Sequence, residues 1–141
     1  MNPRLVPLAA LLHSSEALFD KALSGLTREQ GLTRLGDGAN PPLWIAAHLA
    51  SARCGLGRLI GLDSPCPWGE RFTRGSEIGE LFEIPDANEI RVAWASVSES
   101  LGPRLAQLTD SDLDAASPTK LPLDDPSVLG AIGFLVYHEA Y

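Results

Sequence analysis

Asn40-Pro41-Pro42-Leu43-Trp44-Ile45-Ala46-Ala47-His48-Leu49-Ala50 is the stretch on which the fold of this chain turns. It reads as the opening of a helix. Asn40 is a good N-cap, and Pro41 suits the first helical position, where a missing N–H costs nothing. Trp44, His48, Ala52, Gly55 and Leu59 then recur at steps of three and four, so they share one helical face. Ile45, Leu49 and Leu56 lie alongside, and Gly61 ends the helix. This reading sets an imidazole, His48, in the middle of an inward stripe.

Three more segments carry the same period. A first helix runs from Pro3 to Ser24 with Leu5, Leu8, Leu12, Ser15, Phe19 and Ala22 on one face, and Gly25 closes it. A third opens at Asp86-Ala87-Asn88-Glu89, which has capping-box spacing with Asp as the cap. Its stripe is Ile90, Trp94, Val97, Leu101, Leu105 and Leu108, with a kink expected at Gly102-Pro103. A fourth opens at Asp125-Pro126 and carries Ser127, Ala131, Phe134 or Leu135, and His138 inward.

No stretch alternates with period two, so the expected fold class is all-α, one domain over residues 1–141. Gly61 to Pro85 is a connection of about 25 residues, far longer than antiparallel neighbours need. Helices of about 20 residues are about 30 Å long, so such a connection can travel back along them. The expectation is therefore a four-helix bundle, up-down-down-up, with a long crossover between helices two and three. Trp68, Phe72, Ile78, Leu81 and Phe82 should pack that crossover onto the bundle.

Composition excludes several functions. The formal net charge is −7, and no Lys/Arg patch exists, so nucleic acid is a poor partner. No segment approaches a membrane span. Pro7, His13 and Glu16 break the apolar run near the start, which fits an amphipathic helix and not a signal peptide. Cys54 and Cys66 have no metal or redox spacing, and reduced thiols in the cytoplasm are expected. Nucleophile elbow, phosphate loop and paired-carboxylate motifs are missing from the sequence.

His48 and His138 are the candidate metal ligands. Two inward histidines from two helices are how bundles hold metals, and neutral imidazole suits zinc, nickel, iron or copper. Each is equally readable as a hydrogen-bonded core histidine. A tetrahedral site needs more ligands. His13 falls off the apolar face and Glu16 lies at its edge. Glu139 sits about 100° around the helix from His138, so it cannot share the ion. Trp94 and Phe134 read as core, Trp44 and Trp68 first as packing and second as the mouth of a pocket, and Cys54 as a small buried or half-buried residue. Arg71 and Arg74 offer charge to an anionic substrate, or are scattered surface charge.

Together these residues resemble the DinB-like (YfiT-like) family. Asn40 to Ala50 resembles its helix-two signature, in which the equivalent of His48 begins a metal site. Pro67-Trp68, Phe72, Gly75, Pro85-Asp86 and Glu89-Ile90 look like its loop and third-helix start. Tyr137-His138-Glu139-Ala140-Tyr141 looks like the front half of its closing motif, in which another His follows one turn later.

The resemblance spans nearly the whole chain. It implies an up-down-down-up bundle with a three-histidine divalent metal site, zinc or nickel, often in a homodimer. It also implies a small thiol or other small molecule as substrate, since some relatives are thiol-dependent transferases or isomerases. His48 and His138 match the first and second ligands. The third is expected just beyond Tyr141, so the chain is expected to be truncated and to hold metal weakly or not at all. A metal-dependent transferase or hydrolase is the leading reading. A non-catalytic bundle for ligand binding or dimerisation is the alternative.

Overall fold

The computed structural model describes Met1 to Ala140; Tyr141, through which the fourth helix was expected to run, lies outside the described residues. Six α-helices form among the described residues: α1 (Val6–Leu23), α2 (Arg28–Leu32), α3 (Pro42–Leu59), α4 (Ala87–Leu105), α5 (Asp110–Asp114) and α6 (Val128–Ala140). No strand is present among the described residues. The four long helices, α1, α3, α4 and α6, correspond to the four expected ones.

Their ends show local chemistry at work. A 3-10 turn, Pro3–Leu5, precedes α1, and the Asn2 side chain accepts from the Arg4 N–H. Gly25 and Gly61 take φ of +78° and +84°, a left-handed geometry that favours glycine, so they stop α1 and α3 where expected.

The cap of α3 is shifted by one residue. Pro41, not Asn40, is the N-cap, with φ −67° and ψ 152°. The ring of Pro42 pushes the residue before it into extended backbone, so Pro41 cannot be helical. The same rule moves the start of α6. Pro126 keeps Asp125 out of the helix, and Ser127 caps instead, its Oγ accepting from the Gly130 N–H at 3.1 Å. Asp86 and Glu89 form the expected reciprocal capping box on α4. That helix runs through Pro103 and ends at Leu105, three residues before the expected end. Short α2 and α5 were not expected, yet each has its own capping box, Thr27 with Gln30 and Thr109 with Asp112.

Contacts close a ring: α3 packs on α4, α4 on α1, α1 on α6 and α6 on α3. One core cluster joins Leu5, Leu12, Leu56, Ile60, Leu101, Leu105, Ile132 and Val136. The other joins Leu23, Leu43, Trp44, Ala47, Ile90 and Trp94 with Phe72 and Ile84 from the connection before α4. Burying one such side chain stabilises by about 1.5–3 kcal/mol, so Phe72 anchors that connection firmly. Trp68 and Ile78 pack beside it. Leu81 and Phe82 do not: they are 38% and 76% exposed.

The buried face of α3 is rotated from the expected stripe. Leu43, Ala46, Ala47, Ala50, Cys54 and Gly57 are buried, whereas His48, Ala52, Gly55 and Leu59 are only half-buried. Small residues let α3 approach its neighbours closely. His48 therefore sits at the rim of the buried face, beside a cleft, and not at its centre.

Candidate functional site

Four residues of turn spacing place Trp44 directly before His48 on α3. Their rings stack, with centroids 5.4 Å apart and planes at 12°. Phe72 meets Trp44 edge-on at 6.3 Å, and Trp68 meets Phe72 edge-on at 5.9 Å. These aromatic contacts hold the chain so that the Phe72 carbonyl accepts from His48 Nδ1 at 2.5 Å. A carbonyl only accepts, so the proton of neutral His48 resides on Nδ1 and its Nε2 presents a lone pair.

His138 comes from α6, one turn after Phe134, whose ring lies 6.3 Å away. The two Nε2 atoms of His48 and His138 are 3.2 Å apart, with ring planes at 70°. Burial, aided by the neighbouring His48, lowers the pKa of His138, which favours a neutral ring. Nδ1 of His138 is buried with no partner among the described residues.

This donor set fits a divalent transition metal. Two nitrogens 3.2 Å apart match the spacing of ligands that share one ion at about 2.0–2.1 Å. A carbonyl on the far nitrogen of a ligating histidine is the usual means of fixing its tautomer. Among the described residues, no third His, Cys, Asp or Glu joins the pair. His13 is exposed, and both His13 and Glu16 line a separate cavity with Phe19, Asp20 and Arg91.

One residue after His138, Glu139 points elsewhere. It forms a bidentate pair with Arg53 of α3 at 2.9 and 2.6 Å, and both side chains are 1% exposed. Arg53 also donates to Ser98 Oγ at 2.5 Å and to the Leu12 carbonyl at 3.2 Å, and lies 3.6 Å over the Trp94 ring. Burial raises the pKa of Glu139, and the Arg53 guanidinium opposes that rise. The pair ties α3 to α6 just behind the histidines. The sequence reading missed Arg53. Its signal was an arginine sharing a face with Ala46, Ala50 and Gly57, a position that requires a buried carboxylate.

The histidines open onto a cleft of about 840 Å³. Phe72, Arg74, Lys120, Leu121, Phe134 and Tyr137 line it along with Ser51. Phe134 is thus a cleft wall and not a core residue. Ser51 Oγ lies 3.2 Å from Cys66 Sγ. Both cysteines are free thiols. Burial, with Cys66 nearby, raises the pKa of Cys54 to about 11, so that thiol stays protonated near neutrality.

With this geometry in place, the family comparison decides the lineage. The family model of the DinB superfamily matches residues 11–141. The chain belongs to the DinB superfamily. Comparison with curated proteins gives no match. The DinB match begins within α1 and runs through α6, so it includes His48, His138 and the connection that carries Phe72. No helix is long and apolar enough to cross a membrane among the described residues.

Proposed function

We propose that this DinB-superfamily chain binds a divalent metal ion, zinc or nickel, through Nε2 of His48 and Nε2 of His138. The observation that carries the reading is the pair of nitrogens at 3.2 Å, with His48 oriented by the Phe72 carbonyl. When bound, such an ion supplies a Lewis acid that lowers the pKa of a thiol or water. The reaction class that follows is thiol-dependent transfer or metal-dependent hydrolysis in the adjoining cleft. Phe72 and Phe134 exclude water from one side of it, and the stacked Trp44 keeps His48 from rotating.

The same reading includes an up-down-down-up order for the four long helices. Arg104 of α4 donates to the Ile60 carbonyl after α3, while Trp94 and Trp44 share a cluster near the starts of those helices; this supports parallel α3 and α4. Arg91 with Asp20 supports an antiparallel α1 and α4. A homodimer is part of the proposal too, supported by exposed Leu11 and Leu18, seven residues apart on α1.

Calorimetric titration with zinc tests the site. Wild type should bind one ion per chain, and His48→Gln should bind more than about 100-fold more weakly, beyond losses seen for residues behind a ligand. Equal affinity in the two proteins would refute it.

One observation favours a second reading, a non-catalytic ligand-binding bundle. No third protein ligand joins the pair among the described residues, and the two rings satisfy each other by a hydrogen bond. That reading predicts the same unfolding midpoint with zinc and with chelator.

A further inference from the structure

Most cations of this protein are engaged. Arg4, Arg53, Arg71 and Arg91 pair with carboxylates, and Arg28, Arg58 and Arg104 donate to backbone carbonyls. Two that line the histidine cleft are different. Arg74, from the segment between α3 and α4, and Lys120, from the segment before α6, are exposed and have no ion pair or hydrogen bond from their side chains to another described residue. Among the described residues, no aspartate or glutamate lines the cleft. Acidic residues outnumber basic ones by 18 to 11 in the chain, so a cleft lined by two cations and no acid departs from the average surface.

The rest of the lining is largely apolar, with Phe72, Leu121, Pro122, Phe134 and Leu135. About 840 Å³ is within the range of small-molecule sites. An ordinary hydrophobic ligand would need no cation there, and bare phosphate would gain nothing from the apolar walls. A net charge of −7 also repels anions at long range, so affinity for one must come from groups in the cleft itself.

We propose that the cleft takes a small organic carboxylate with an apolar body, its charge met by Arg74 and Lys120 and its body by Phe134 and Leu135. This rests on the reading of the histidine cleft as the functional site, and it names the class of ligand. Charge-assisted hydrogen bonds from both cations would discriminate against a neutral isostere.

The test compares phenylacetate with phenylacetamide by calorimetry on the full chain, with chelator and with zinc. Wild type should prefer the acid by at least about tenfold under chelator, the scale of one hydrogen bond to a charged group. Inorganic phosphate should bind more weakly than phenylacetate. Arg74→Gln/Lys120→Gln should bind acid and amide alike. Arg91→Gln, which pairs with Asp20 away from the cleft, should keep the preference, and thermal melts should show that both variants fold.

Absent binding of phenylacetate, equal binding of acid and amide to wild type, or a preference that survives in the double variant would overturn the proposal. A preference seen only with zinc would also overturn it, since the ion would then read the charge, while leaving the metal site intact. A preference under chelator in a protein that never binds zinc would uphold the carboxylate site and remove the metal reading.

Discussion

Two polar pairs join α3 to α6, and they are opposites. Arg53–Glu139 is sealed: both side chains are 1% exposed, and the guanidinium meets a carboxylate, a hydroxyl, a carbonyl and an aromatic face. His48–His138 is open: the rings are half-buried and face a cleft, and the buried Nδ1 of His138 has no partner among the described residues. Consecutive residues of α6, His138 and Glu139, supply one member of each pair. A sealed pair fixes the distance between two helices. An open pair held at that fixed distance is available to a ligand. The contrast gives the first pair a structural role and makes the second the place for the proposed metal.

The largest expected effect breaks the sealed pair. Arg53→Ala leaves Glu139 buried without its cation, and the loss should be about 3–5 kcal/mol in denaturant unfolding. Replacing both, as Arg53→Met with Glu139→Met, should recover most of that stability, because the cost lies in the unpaired charge. If Arg53→Ala unfolds like wild type, the pair does not hold α3 to α6.

Breaking the open pair should look different. At zinc 100-fold above its Kd, wild type should gain about 2.7 kcal/mol of stability by linkage. His48→Ala should gain none, and under chelator it should lose far less than Arg53→Ala. A metal-independent loss as large as that of Arg53→Ala would make His48 a core residue. The smallest effect sharpens the sealed pair alone. Ser98→Ala removes one acceptor from Arg53 and should cost about 1 kcal/mol, with zinc affinity unchanged.

The all-helical class and the four long helices were legible because their stripes of Leu, Ile and Trp repeat clearly and Gly25, Gly61 and Asp86 punctuate them. The buried face of α3 was less so. Its residues are Ala46, Ala47, Ala50, Cys54 and Gly57, which contribute little hydrophobicity, so larger Trp44 and Leu59 drew the stripe to one side. Arg53 was hidden for the same reason, since an arginine on an apolar face reads as exposed until its acid is known. His48 and His138 stood out because each falls on the inward stripe of its own helix. That their Nε2 atoms meet depended on the Phe72 carbonyl, a backbone group contributed by a long connection, which periodicity does not reveal. Lys120 belongs to an irregular segment whose course no stripe predicts.

In the proposed site, His48 is held with its proton on Nδ1 so that both Nε2 atoms face one ion. Nitrogen-15 NMR of the two imidazole rings, followed through a zinc titration, tests it most directly. Before zinc, His48 should be the Nδ1–H tautomer. During a 1:1 titration, the Nε2 resonances of both His48 and His138 should shift together while Nδ1 of His48 stays protonated. Zinc that leaves both Nε2 resonances in place, or a His48 that carries its proton on Nε2, would rule this site out.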